Sequence, residues 1–307
     1  MDYEWLQEGI VLKERYRIKK ELHVSDLSIV YLCEDMACNM ECIVKEYYPK
    51  GKVLRDMDGK TLVFRMPSFR KAYDEAVDNF INEGIILKKY SHKNIVKCID
   101  EFKENDTGYI VLEYCEGKTL NNHMKDEKVV SIPGLFKDLF IPLMDAVEHV
   151  HKKGIIHRDI KPSNIIFHKE RGPVLIDFGA AVSFKDKKEK KIFFSHGFSP
   201  LEFYSKNTKQ GKFSDVYSVA ATIYYYLSGI TPQNSQERRI KDEVENLKNC
   251  NYEISGIYSL VIMKNLSLNY RKRFSSIKLL KLFSYIEYYK QKRKQKYTSD
   301  NSHQLNS

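Results

Sequence analysis

The chain has 307 residues, of which 42% are hydrophobic and 12% aromatic, enough apolar side chain to bury a sizeable core and too much for a disordered chain. With Gly at 14 and Pro at 8, collagen-like and low-complexity classes are excluded. Lys and Arg outnumber Asp and Glu by 51 to 41, a formal net charge of +10. Most of that excess is dispersed, which argues a solvated surface before a nucleic-acid or membrane partner.

In chain order, the first third reads as strands with one helix. Tyr16 to Leu22, Ile29 to Cys33 and Glu41 to Lys45 carry alternating or β-branched residues, and Thr61 to Phe64 is a shorter candidate. Ala72, Ala76, Phe80, Ile81, Ile85 and Leu87 form an apolar stripe that predicts a helix over 69–90. Two further strands are expected at 95–102 and 109–113, joined through the turn residues Glu104-Asn105-Asp106-Thr107-Gly108. Beyond Gly117 helices dominate, at 136–151, 214–228, 257–266 and 275–289, with short strands at 165–167 and 174–176. Residues from Gln291 onward are polar and charged and are expected to fray. Strands first and helices later predict an α+β chain with segregated lobes.

The six cysteines form no C-x-x-C pair, which argues against a zinc site or a disulfide framework and suits a reducing, cytoplasmic address. The start, Met1-Asp2-Tyr3-Glu4-Trp5, is acidic and polar, unlike a signal peptide, and no apolar run is long enough to span a membrane. Gly59-Lys60-Thr61 and Gly117-Lys118-Thr119 echo the end of a P-loop, but Leu54 and Leu112 stand where its first glycine belongs.

The chemistry is concentrated in His157-Arg158-Asp159-Ile160-Lys161-Pro162-Ser163-Asn164, followed by Asp177-Phe178-Gly179. Each short motif alone would be an ordinary turn. Together, in this order and spacing, they form a set that chance does not readily supply. Asp159 and Asn164 can present a base and an oxygen ligand from one loop, Lys161 can place a cation beside them, and Asp177 offers a second hard oxygen ligand. This constellation resembles the protein kinase family, in the H-R-D-x-K-P-x-N and D-F-G forms. The resemblance covers roughly residues 10 to 288 and looks like a bacterial, eukaryotic-like Ser/Thr subgroup in which the Lys is followed by Glu-Tyr-Phe/Tyr-Pro, here Lys45 followed by Glu46-Tyr47-Tyr48-Pro49.

The resemblance implies a bilobal protein-kinase fold: a lead-in over 1–15, an N-lobe over 16–113 with an antiparallel β-sheet and one helix, a hinge at 114–117, a mostly helical C-lobe over 118–289, and a basic polar tail over 290–307. It implies ATP and Mg²⁺ as cofactors, with Mn²⁺ as a substitute, and proteins with Ser/Thr hydroxyls as substrates. Nucleic acid is the less favoured partner. Asp159, Lys161 and Asn164 take the catalytic places, and Asn164 and Asp177 the metal-binding ones. Lys45 contacts the nucleotide phosphates with Glu83 as its partner, Glu75 and Asp78 being alternatives on the same helix. Leu22, Val30, Ile43, Leu112, Glu113, Cys115 and Ile166 surround the adenine, in a cleft under residues 22–30 and against 112–117. Glu202 pairs with Arg273, Asp215 braces the catalytic loop, and Ser195 stands where Ser/Thr kinases have a hydroxyl touching the catalytic Asp and Lys. Leu87, Cys98, His157 and Phe178 take the places of an apolar spine. Arg158 could bind a phosphate in the following loop, where Ser183 and Ser195 are the only hydroxyls between Gly179 and Gly197.

Two departures weaken the nucleotide site. Where the family has G-x-G-x-x-G, this chain reads His23-Val24-Ser25-Asp26-Leu27-Ser28, so backbone approach to phosphate is obstructed and Ser25 and Ser28 are left as substitute donors. Ile43 replaces an Ala and narrows the adenine roof. The alternative function is therefore a pseudokinase scaffold with impaired nucleotide binding. Lys185 to Lys191 is either a solvated loop or a docking patch for acidic substrates, and Lys290 to Lys296 either a solvated helix end or a surface for nucleic acid or anionic lipid.

Overall fold

The structure is a computed structural model of the chain and describes residues 4–126, 131–183, 192, 194–251 and 253–304. The chain forms two compact units, Met1–Ser91 with Val96–Cys115, and His92–Ile95 with Glu116–Ser307.

In the first unit, β1 (Val11–Leu12), β2 (Tyr16–Val24), β3 (Ser28–Asp35), β4 (Met40–Tyr47), β7 (Cys98–Glu104) and β8 (Thr107–Glu113) build one antiparallel sheet in the order β1-β2-β3-β4-β8-β7. Between β4 and β7 lie the hairpin β5 (Val53–Arg55) and β6 (Leu62–Phe64) and the helix α1 (Arg70–Lys88), which packs on β7 and β8. The β7–β8 turn is tight because Asn105 and Asp106 both take positive φ, 53° and 58°, the conformation that suits a two-residue hairpin and that these residue types tolerate.

Alternation along β4 divides the sheet. Cys42, Val44 and Glu46 face a core that also holds Tyr31, Cys33, Tyr73, Tyr109 and Val111. Ile43 and Lys45 face the other way, with Leu32, Val30, Leu112 and Ile110 as their direct cross-strand partners.

Glu46 is a carboxylate wholly inside that core, and it is not alone there. The Tyr31 and Tyr109 hydroxyls donate to it at 2.7 and 2.8 Å, and the Arg55 guanidinium at 3.1 and 2.7 Å. Burial and the adjacent carboxylate push both phenols well above their usual range, so each stays a donor. Burial works against the Arg55 charge, but Glu46 outweighs it and leaves the guanidinium above its ordinary value. Arg55 also donates to the Glu4 carbonyl, and Tyr31 accepts from the Leu6 N–H at 3.1 Å, which ties the lead-in to the same cluster. The segment between Lys45 and α1 thus has a structural purpose. It supplies the β5–β6 hairpin, which carries the counter-charge for Glu46.

In the second unit, β9 (Gly117–Thr119) runs into α2 (Leu120–Asp126). A short turn, α3 (Ile132–Gly134), then passes through a wider turn over Leu135–Phe140 into α4 (Ile141–Lys152). After β10 (Ile155–Ile156) come β11 (Ile165–His168), β12 (Gly172–Leu175) and β13 (Val182–Ser183), with β10 pairing β13 and the order β12-β11-β9 in the small sheet. Gly117 is required where β9 meets β11, because a Cβ there would lie 2.3 Å from the Phe167 carbonyl oxygen. Helices α5 (Lys212–Ser228), α6 (Leu247–Cys250), α7 (Gly256–Asn265) and α8 (Ile277–Gln304) complete the unit. α5 is the central one, mostly buried, and it ends at Gly229 in the left-handed region, φ 74°.

The expected fraying from Gln291 is corrected: α8 continues to Gln304. Its Lys, Gln and Arg are good helix formers. Gln291 also anchors it, donating to the Glu253 carbonyl at 2.7 Å and to Glu287 at 2.6 Å.

The Glu46 cluster generates a stability prediction. Arg55→Leu strands a buried carboxylate and should cost about 3–5 kcal/mol in urea unfolding, whereas Glu46→Gln combined with Arg55→Met should recover most of that loss. Equal losses in the single and double variants would show that Arg55 acts through packing and not through charge.

Candidate active site

Asp215, on the first turn of α5, is the buried foundation of the site in the second unit. Its carboxylate accepts the N–H of His157 at 2.8 Å and of Arg158 at 2.9 Å, and bonds the His151 ring at 2.7 Å. Burial alone would raise its pKa, but the His151 hydrogen bond and the flanking imidazoles and amides reverse that and hold it below the usual carboxylate value. These contacts hold Arg158 in the left-handed region at φ 72°, a strained conformation for a long side chain. His157 is fully buried, and burial depresses its pKa, so the ring is neutral. Its Nδ1 accepts the Asp159 N–H at 3.3 Å, which assigns the ring proton to Nε2. The ring meets Phe178 edge-on at 4.4 Å between centroids.

Asp159 sits at the end of this braced turn. Its Oδ2 accepts from Asn164 Nδ2 at 2.8 Å and pairs with Lys161 Nζ at 2.9 Å. Its Oδ1 accepts from the Ser195 hydroxyl at 2.7 Å. Ser195 in turn accepts from Lys161 Nζ at 2.9 Å, closing a triangle of Asp159, Lys161 and Ser195. A carboxylate oxygen has two lone pairs. Among the described residues Oδ2 receives two donors and Oδ1 one, which leaves Oδ1 a direction for a further hydroxyl.

Asn164 donates its amide N–H to Asp159, which leaves the amide oxygen as its ligand atom. Its backbone carbonyl accepts the Ile176 N–H at 2.9 Å, so the residue preceding Asp177 is fastened to Asn164. Asp177 has φ 61° and accepts from the Gly179 N–H at 3.4 Å. One amide oxygen and one carboxylate are hard donors. They are too few for an all-protein cage, and they fit Mg²⁺, which takes the rest of its shell from phosphate and water. Among the described residues there is no cluster of three or more His, Cys, Asp or Glu that could hold a metal ion unaided.

Arg158 is held in the interior of the second unit. It is 2% exposed, lies over the Phe203 ring at 5.4 Å and donates to the Ala180 carbonyl at 3.4 Å. The Lys185 to Lys191 run lies outside the described residues. Glu202 and Arg273 form a buried two-pronged pair at 2.7 and 3.1 Å, and Ser214 adds a third bond to Glu202 at 2.8 Å.

The first unit presents the other residues singled out in the sequence. Lys45 lies 3.5 Å from Glu83, and both are largely buried. Asp78 instead pairs with Lys103. The Phe80 ring lies 5.7 Å from Lys45 Nζ, and its place on the α1 stripe, one turn before Glu83, is the sequence signal for that contact. Val30, Ile43 and Leu112 lie on the Lys45 face, Ile43 and Leu112 as direct partners. Leu22 lies at a bulge in β2 and is 44% exposed. Glu113 accepts the Lys97 N–H at 3.0 Å, and Cys115 is buried. Ile166 belongs to the second unit, on β11, opposite Val174 and Thr119.

The loop without glycines is an ordered turn. The Ser25 hydroxyl donates to the Ser28 carbonyl at 2.9 Å and accepts the Ser28 N–H at 3.0 Å, and the two hydroxyls lie 3.1 Å apart. The Asp26 and Leu27 carbonyls accept the N–H groups of Lys50 and Tyr48, each at 2.9 Å. The expectation that Ser25 and Ser28 serve as spare donors is therefore corrected: their hydroxyls are engaged within the turn. Asp26 and its neighbour Leu27 are exposed.

The family model for the protein kinase domain matches residues 50–286, so Lys45 lies just ahead of the matched span. A probable serine/threonine-protein kinase of Clostridium perfringens is 30% identical over 280 residues, covering 88% of this chain and 38% of the relative. Serine/threonine-protein kinase PknA of a Nostoc species is 30% identical over 279 residues, 87% of this chain and 46% of the relative. Ppk34 of Schizosaccharomyces pombe is 28% identical, covering 84% of this chain and 80% of that one. This chain thus spans less than half the length of the first two relatives. A solved structure titled PpkA-294 apo form superposes with a TM-score of 0.76 at 26% identity, covering 91% of this chain and 98% of the other.

Asp215→Ala should leave the His157 and Arg158 N–H groups buried without an acceptor, at about 1–3 kcal/mol each. Asp215→Asn, which keeps one acceptor oxygen, should lose less. Thermal unfolding of the two variants beside the parent chain checks the order. An alanine variant as stable as the parent would remove Asp215 from its bracing role.

Proposed function

The chain belongs to the protein kinase family, and from that premise we propose that it is an ATP-dependent serine/threonine protein kinase, transferring the γ-phosphoryl group of ATP to hydroxyls of protein substrates. The observation that carries the reading is the remaining lone pair on Asp159 Oδ1. It is aimed by two donors on the sister oxygen and one from Ser195, and it suits an incoming Ser or Thr hydroxyl. Asp159 accepts the hydroxyl proton and orients the oxygen for attack. Lys161 has three N–H groups. Asp159 and Ser195 take two, and the third offsets charge on the moving phosphoryl group. Ser195 holds the two catalytic side chains at fixed separation. Its hydroxyl is engaged on both sides, which makes it a positioning group before it is a phosphorylation site.

Asn164 and Asp177 would hold Mg²⁺, which supplies positive charge to the phosphate oxygens when bound. Lys45, steadied by Glu83, would contact the nucleotide phosphates, while Val30, Ile43 and Leu112 offer an apolar face to a base. Glu113, Cys115, Leu22 and Ile166 remain the proposed lining of the adenine.

The test is intact-mass spectrometry of the protein after incubation with Mg-ATP, with a generic acceptor protein present. Mass increments of one phosphate, on the chain or on the acceptor, are expected for the parent. In Asp159→Asn the rate should fall about 10²–10⁴-fold. Equal transfer by that variant would remove Asp159 as base. No transfer by the parent, to itself or to the acceptor, would favour the pseudokinase reading.

A further inference from the structure

We propose that the outer face of α8 is a docking surface for an anionic phospholipid bilayer. One side of this helix is committed to the second unit. Leu280, Ser284, Glu287 and Gln291 are buried, with Glu287 bonded to Ser255 and Gln291. The opposite side is exposed and apolar. Leu279 is 43% exposed, Leu282 54%, Ile286 52% and Tyr289 57%. Their three- and four-residue spacing places them on one stripe.

That stripe continues into a cationic end. Lys290 and Arg293 extend it along the same face, Lys292, Lys294 and Lys296 flank it, and Tyr297 closes it at 72% exposed. Between Ile277 and Tyr297 the only carboxylate is Glu287, and it faces inward. From Leu279 to Tyr297 the surface runs about 27 Å at ~1.5 Å per residue. It has no acidic group on its outer side.

Three occupants could cover such a face, and charge separates them. A second copy would use the apolar half, but in parallel it would bring Arg293 and its neighbours against their own like charges, and antiparallel it would lay those cations along the aliphatic stripe with no counter-charge. A nucleic acid would engage the cations and leave the aliphatic stripe in water. An anionic bilayer uses both halves: Leu279, Leu282 and Ile286 enter the acyl boundary, the tyrosines lie at the headgroup level, and the Lys and Arg heads reach lipid phosphates. Among the described residues no helix is long and apolar enough to cross a membrane, so the contact is with the surface. The inference does not depend on the phosphotransfer reading.

The experiment is sedimentation of the full chain with vesicles of pure phosphatidylcholine, and with vesicles containing one third phosphatidylglycerol. The protein should sediment with the anionic vesicles, remain in solution with the neutral ones, and be released by high salt. Lys290→Gln with Arg293→Gln should lower partitioning about 25-fold, roughly fivefold per cation. Ile286→Ser should lower it with charge unchanged. All three positions are exposed, and an unchanged melting temperature would confirm that the variants fold. Failure to sediment with anionic vesicles would overturn the proposal, as would equal sedimentation of parent and variants. Dimerisation abolished by Ile286→Ser, or a salt-sensitive duplex-DNA shift, in a protein that ignores vesicles would reassign the face to a second copy or to nucleic acid.

Discussion

A buried carboxylate that accepts backbone N–H groups is the constraint on which the second unit's chemistry rests. Asp215 does not touch the place where a hydroxyl would react. It fixes the two peptides ahead of Asp159, and so decides the direction in which that side chain leaves the loop. The left-handed turn at Arg158 is tolerable only because both flanking N–H groups are matched. The neutral His157 ring then passes the constraint on, accepting the Asp159 N–H and packing against Phe178. Asp159 is placed by this chain of contacts, whose anchor lies in the most deeply buried helix of the unit, while Ser195 is held from its own side by the Ser199 hydroxyl.

The first unit is organised by a second buried carboxylate with a different role. Glu46 follows Lys45 directly, so the two point to opposite faces of β4. Fixing Glu46 with two phenols and a guanidinium pins the register of the strand, and with it the height at which Lys45 meets Glu83. A well-packed apolar residue at position 46 would fill the space. It would not set a unique alignment among Tyr31, Arg55 and Tyr109.

Much of this was readable in the residues, and the limits have physical reasons. Strands such as Ile29 to Cys33 and Glu41 to Lys45 announce themselves because one face alternates with the other. Val53–Arg55 carries no such signal, being three residues long and stabilised by its hairpin partner and by an ion pair to a distant Glu. The Gln291 to Gln304 stretch looks like a tail because its residues are polar, yet polar Lys, Gln and Arg favour helix once Gln291 is tied to Glu253. At the candidate site, motif spacing places Asp159, Lys161 and Asn164 on one loop. It is silent on the hydrogen-bond directions that leave one lone pair of Asp159 available, because those depend on Ser195, over thirty residues away. Arg158 is a further case: its place beside Asp159 is legible in the sequence, and its packing over the Phe203 ring is not.

The Ser25–Ser28 turn bears on how the Lys45 face would receive a ligand. A glycine-rich loop is loose, and a ligand that settles beneath it must also arrest it. Fixing the backbone of a residue costs about 1–2 kcal/mol of conformational entropy. Here folding has already arrested the segment, through the Ser25 hydroxyl and the Tyr48 and Lys50 amides. Side chains that keep the backbone away from a phosphate weaken its grip, and the smaller ordering cost offsets that weakening. Such a face would capture its ligand by fit, with little closure, and its affinity should respond weakly to changes in loop mobility.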